Sequence, residues 1–193
     1  PGQTEEFVKR VTAHCHVANG LECPQINVKS GKRLEAVDPK AQFAAAVDNL
    51  KRASDAAAEN GINIVIEPID LIESPGIFLS SVQEGFEIVR SVNRPNVKVL
   101  YDFYHEQRAG GNLIEKLEKN FDWVGLVHIA DAPGRHEPGT GEIDYRNIYR
   151  TPSRLFYNRF IGMEYFPTTD PVASLRKSRI EAQQAMAEGR RLG

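Results

Sequence analysis

The sequence predicts a parallel α/β fold and, within that class, the C-terminal part of a (β/α)8 barrel. Three observations point there. Short apolar segments and amphipathic helical segments alternate strictly, five strands each followed by a helix, which is the pattern of right-handed βαβ units on a parallel sheet. The strand at Ile62–Ile66 is a near-continuous apolar run, as expected when both faces are buried. Glu67, Asp102, His128 and Glu164 all fall at or near strand C-termini, the rim where barrel enzymes carry their chemistry. A doubly wound sheet would show a Gly-rich turn after its first strand; neither GxGxxG nor the P-loop string occurs.

A whole barrel takes about 250 residues. These 193 residues hold five strands, so roughly three are expected on the N-terminal side of the sequence. Pro1-Gly2 opens the chain without an initiator Met, as in the remainder of something longer. No linker or shift in composition divides it, and a single domain over residues 1–193 is expected.

Each element has a local reason. Thr4 to Gly20 reads as a helix with Phe7, Val8, Val11, Cys15 and Ala18 on one face. Pro24 to Val28 is a short strand, followed by a polar loop. Asp38-Pro39 is an N-cap followed by Pro at the first helical position. That helix buries Phe43, Val47, Leu50, Ala53 and Ala57, and Asn60-Gly61 stops it. The next strand ends at Glu67-Pro68. Ser81-x-x-Glu84 is a capping box, with Val82, Phe86 and Val89 facing inward. Val97 to Tyr101 is a strand ending at Asp102; Asn112 caps a short helix through Asn120. Trp123 to Ala130 is the next strand, and Asp144 caps a short helix around Ile148. Phe160 to Tyr165 is the last strand, and Asp170-Pro171 starts a terminal helix reaching about Glu188.

Composition excludes several classes. Lys and Arg number 24 against 26 Asp and Glu, a formal charge of −2, so no basic field draws nucleic acid or an anionic membrane. No apolar run approaches the ~20 residues of a membrane span, and no signal-peptide pattern opens the chain. Cys15 and Cys23 make no disulfide framework, and both are expected as reduced thiols in a cytosolic protein. A homo-oligomer is allowed, but no helix face offers a clear dimer stripe beyond what the sheet needs.

Taken singly, the four strand-end residues are ordinary loop carboxylates and a His. Together they form a set of three carboxylates and one imidazole. Such donors suit Mg²⁺, Mn²⁺ or a similar divalent ion rather than a thiolate-bound metal. A carboxylate where a buried strand meets the rim is costly unless paired or metal-bound. His105, three residues after Asp102, is expected just past the strand on the same rim. Arg135 and His136 lie in the loop PGRHEPGTG, and Arg suits a bidentate grip on a carboxylate. His14 and His16 sit in the first helix and receive no role. There is no GxSxG elbow, and Cys23 precedes the first strand, on the opposite rim.

IEP (66–68), YDFYH (101–105), HIADAPGRHEPGTGEIDY (128–145) and GMEYFP (162–167) resemble the hydroxypyruvate isomerase family. That family belongs to the xylose isomerase-like TIM barrels, with the sugar epimerases and endonuclease IV. The resemblance implies that Glu67 and Glu164 are paired catalytic glutamates that also bind a divalent metal, with Asp102 and His128 completing its ligands. It implies substrate contacts for His105, Arg135 and, on a less similar loop, Glu73. The chain departs from the family in lacking its first three strands. It also departs at TPSRLFYN (151–158), where Pro152 is expected to interrupt the helix after about one turn.

The function this implies is isomerisation of hydroxypyruvate to tartronate semialdehyde through an enediolate. A longer sugar or 2-oxo-sugar acid is the alternative substrate, since the same proton transfers serve both. A barrel fragment with open sheet edges and no activity is the third reading. Nucleic-acid hydrolysis is disfavoured, because a multinuclear centre needs more ligands than this rim supplies.

Overall fold

The computed structural model describes residues 3–191. The elements run α1 (Thr4–Gly20), β1 (Gln25–Val28), α2 (Pro39–Glu59), β2 (Asn63–Ile66), α3 (Val82–Val92), β3 (Val97–Asp102), α4 (Phe103–Ala109), α5 (Leu113–Lys119), β4 (Val124–Ile129), α6 (Tyr145–Arg154), β5 (Ile161–Met163) and α7 (Pro171–Gly189). Two compact units divide the chain between Leu100 and Tyr101, and each has its own core.

In the first unit, β2 is flanked by β1 and β3 in parallel, with Val28 opposite Ile66 and Ile66 opposite Val99. Ile64, Val65, Val97 and Val99 are buried, and Ala53, Ala57, Phe86 and Val89 of α2 and α3 are buried with them. The helices begin where the sequence predicts. Asp38 accepts from the backbone N–H groups of Lys40 (2.9 Å) and Ala41 (3.1 Å), with Pro39 at the first helical position. A β-carbon at Gly85 would lie 3.2 Å from the Pro68 ring and 3.4 Å from Val99, so the glycine lets α3 approach the strands closely. Ser81 accepts from the Glu84 N–H, but the Glu84 carboxylate turns to Ser80 rather than back to Ser81, so the reciprocal half of the box is displaced by one residue. Phe7, Val8, Phe43 and Val47 are only half-buried, whereas the polar Gln42 is buried. Gln42 is satisfied by backbone groups of Leu34 and Val37.

In the second unit, β4 and β5 pair in parallel, with His128 opposite Gly162. Val127, Ile129, Leu117, Tyr145, Ile148 and Tyr149 form the core. α6 and α7 meet closely at Gly189, where a β-carbon would fall 2.5 Å from the Arg150 carbonyl oxygen.

Four local expectations change. Asp102 nucleates an unforeseen helix, α4, and His105, just past the strand as expected, lies within it. Asn112 precedes α5 in the left-handed region (φ 54°) with no side-chain cap; its amide bonds Glu115 instead, at 2.6 Å. Pro152 does not stop α6 after a turn. The helix continues to Arg154: the Leu155 N–H still reaches the Thr151 carbonyl (3.1 Å), and Ser153 Oγ donates to the Met186 carbonyl on α7 (2.6 Å). The last strand contracts to Ile161–Met163, which leaves Glu164 one residue beyond it.

Candidate active site

Asp102 ends β3 and serves two elements at once. Its Oδ1 accepts from the backbone N–H groups of Tyr104 (2.8 Å) and His105 (3.4 Å), capping α4. Its Oδ2 faces the other way, 3.4 Å from Arg135 Nη2 and 3.6 Å from His105 Nε2. The carboxylate is buried, a position that needs charge partners.

His128 stands near the end of β4, and Glu164 follows β5. His128 Nδ1 lies 2.9 Å from Glu164 Oε2. The Glu164 N–H donates to the Ile129 carbonyl (3.1 Å), continuing the β4–β5 ladder one residue past the strand. A β-carbon on Gly162 would lie 2.7 Å from His128 Cδ2. The glycine is therefore what allows the imidazole to lie across the neighbouring strand toward Glu164. Asp102, His128 and Glu164 each offer a ligand atom, all within 4.8 Å of one another. Two carboxylates and an imidazole at that spacing suit a hard or borderline divalent cation.

The loop after β4 is built around Asp131, which is fully buried. Its Oδ1 accepts from Ala132 (2.9 Å) and Ile143 (3.1 Å), and its Oδ2 from Gly139 (2.8 Å). A β-carbon at Gly141 would fall 2.5 Å from Asp131 Oδ1, and one at Gly134 2.7 Å from the His136 ring. Tyr145 fastens the end of β4, its hydroxyl donating to the Ala130 carbonyl at 2.6 Å and accepting from the Ala130 N–H at 3.1 Å. Burial, with Asp102 as the next cause, pushes the Tyr145 phenol well up, so it stays protonated.

Arg135 is aimed by this loop. Its backbone is left-handed (φ 57°), a conformation costing ~1–2 kcal/mol for a residue with a side chain. The Phe166 N–H holds the Arg135 carbonyl at 2.8 Å. The guanidinium reaches Glu164 Oε2 at 2.7 Å and sits over the Tyr104 ring, 5.1 Å from its centroid. Arg108 lies against the same ring at 4.7 Å and contacts the Tyr104 hydroxyl. Two guanidinium groups thus make cation–π contacts with the Tyr104 ring.

Other predicted residues lie as follows. Glu67, just past β2 in the first unit, is buried; its Oε2 accepts from Asn27 Nδ2 at 2.6 Å and pairs with the Lys29 ammonium. Glu73 is on an exposed loop whose backbone is fixed by Asp70 at 2.9 Å. His105 is buried in α4 with its ring 5.4 Å from that of Tyr104. His136 turns to the Phe166 carbonyl at 2.8 Å, away from the ligand trio's bonding. Sequence reasoning missed Lys29, Tyr104 and Gly162. Only Gly162 left a signal, an unexplained glycine two residues before Glu164.

Residues 1–189 match the family model described as xylose isomerase-like TIM barrel. Hydroxypyruvate isomerase of Escherichia coli K12 is 35% identical over 91% of this chain and 68% of its own length. A 2-oxo-tetronate isomerase of Pectobacterium atrosepticum is 33% identical over 86% of this chain and 64% of its own. The crystal structure of AP endonuclease, family 2, from Brucella melitensis superposes with a TM-score of 0.88 at 33% identity, over 93% of this chain and 69% of that one. The chain therefore spans about two thirds of the length of these relatives. With five strands of that barrel and sequence relatives named as isomerases, it belongs to the xylose isomerase-like TIM-barrel family, in its hydroxypyruvate isomerase branch.

Proposed function

We propose that this chain forms, as one barrel domain, the catalytic part of an isomerase acting on a small 2-oxo hydroxy acid, hydroxypyruvate in the first place. The observation that carries the reading is the grouping of Asp102, His128 and Glu164 within 4.8 Å in a member of this branch. Glu67, a buried carboxylate at the end of β2, is proposed as the fourth ligand. A divalent cation held there would supply Lewis acidity to a carbonyl and the adjacent hydroxyl oxygen.

The chain's own groups do the proton work. One of the two glutamates, Glu67 or Glu164, removes a proton from the hydroxymethyl carbon, C3. The resulting enediolate is protonated at C2 by the other, and the C3 hydroxyl proton is redistributed to give the aldehyde. Arg135, His105 and Glu73 are proposed as substrate contacts. The positive charge of Arg135 beside Glu164 favours developing negative charge on oxygen. Two free thiols fit the proposed cytosolic setting, and no helix among the described residues is long and apolar enough to cross a membrane.

The test is deuterium wash-in. In D₂O with Mn²⁺ or Mg²⁺, hydroxypyruvate should exchange its C3 hydrogens and form tartronate semialdehyde. A protein that binds metal but promotes no exchange is not this isomerase. The likeness to a 2-oxo-tetronate isomerase supports a second substrate, a four-carbon sugar acid, by the same chemistry; relative kcat/KM values for the two acids separate the readings. The nuclease named among the structural neighbours is a weaker guide, since the formal charge of −2 offers no field for a phosphate backbone.

A further inference from the structure

We infer that Lys29 is a specificity residue that recognises the carboxylate of the substrate; this rests on the isomerase reading above. Lys29 follows β1 directly, and its ammonium contacts Oε2 of Glu67, the buried glutamate proposed as an acid–base group. Asn27, two residues earlier on the same strand, donates to that same oxygen at 2.6 Å. Alternate residues of a strand share a face, so Asn27 and Lys29 reach Glu67 as a pair. The β1–β2 register, which sets Val28 opposite Ile66, fixes that pairing.

The two donors differ in what they leave over. Asn27 neutralises nothing. Lys29 carries a full charge and three N–H donors, of which a carboxylate oxygen takes one. Glu67 is 1% exposed while the Lys29 side chain is 50% exposed. The Lys29 side chain therefore joins a buried carboxylate to a half-exposed surface, and its remaining N–H donors suit a ligand anion. The other cation of the proposed site, Arg135, already lies on Glu164 Oε2 at 2.7 Å and within 3.4 Å of Asp102 Oδ2. A 2-oxo acid brings a permanent negative charge next to its carbonyl, and a neutral ketose does not. Lys29 accordingly selects acids over neutral sugars of the same length.

The experiment is calorimetric binding of hydroxypyruvate and of neutral dihydroxyacetone to the Mn²⁺-loaded chain, in wild type, Lys29→Met and Lys29→Arg. Lys29→Met should weaken hydroxypyruvate about 10–100-fold and leave dihydroxyacetone within about twofold, while Lys29→Arg restores most of the acid affinity. Equal loss for both ligands would mean that Lys29 only positions Glu67. Unchanged acid affinity in Lys29→Met, or no acid binding by wild type, would also overturn the inference. C3 exchange in D₂O is read separately. Wild type that binds the acid with the predicted Lys29 dependence yet exchanges nothing would leave the carboxylate site standing and remove the isomerase.

Discussion

Gly162 contributes no side chain, and the candidate site depends on that. It faces His128 across the β4–β5 ladder, and any β-carbon would press on the imidazole at 2.7 Å. Gly162→Ala should fold, because its backbone is not left-handed, but should weaken Mn²⁺ binding about 10–100-fold by moving a ligand, as titration calorimetry would read. Asp102 allows a cleaner separation of roles. Asn caps helices as well as Asp, so Asp102→Asn should abolish metal binding while keeping most stability. Asp102→Ala should lose both, with about 1 kcal/mol less stability in urea unfolding from the missing α4 cap. Equal stability of the two variants would show that the Oδ1 cap carries no weight.

At the scale of elements, the caps at Asp38 and Asp170 were readable because capping is a contact within three residues. Both side chains accept the expected backbone N–H groups. α4 was not readable in advance. Its seven residues, FYHEQRA, lack the length that makes helical periodicity visible. Its starting signal, Asp102, looks like a strand end until its hydrogen bonds are seen. Pro152 misled for the opposite reason: local chemistry disfavours a mid-helix proline, but the Leu155 N–H still reaches the Thr151 carbonyl and Ser153 ties the last turn of α6 to α7. Ser153→Ala should loosen that turn by about 0.5–1 kcal/mol, since it removes the link to the Met186 carbonyl while the Arg190 N–H still bonds that oxygen, without altering metal affinity.

At the scale of the whole molecule, metal and acid give two tests. A bound cation stabilises only the folded chain, so Mn²⁺ at 100 times its Kd should add about 2.7 kcal/mol and raise the melting midpoint by roughly 5–10 °C. His128→Ala or Glu164→Gln should erase that rise. On the acid side, hydrogen bonds from Arg146 and Arg150 hold the Glu188 carboxyl down at about 2. A folded value below the ordinary 4.5 means the link between α6 and α7 is fully present above that pH. It is lost as the pH falls from about 4.5 toward 2, and high salt weakens it because the groups are partly exposed. Glu137 acts in the same direction. Burial alone would raise its carboxyl, but the Thr168 hydroxyl and N–H outweigh this and hold it low. Thermal melts from pH 6 to pH 2.5, with and without 0.5 M salt, should show the midpoint falling and the salt effect shrinking with it.

The sequence by itself determined the alternation of strands and helices, the family, and which four side chains stand at strand ends, because periodicity and strand termini are properties of the chain's order. Tertiary structure alone decided what those side chains touch. Lys29 lies 38 residues from Glu67 in the chain, and Gly162 takes its meaning from a histidine on the neighbouring strand. Such pairs are made by sheet register and by the loop that aims Arg135, and no local pattern in the residues records either.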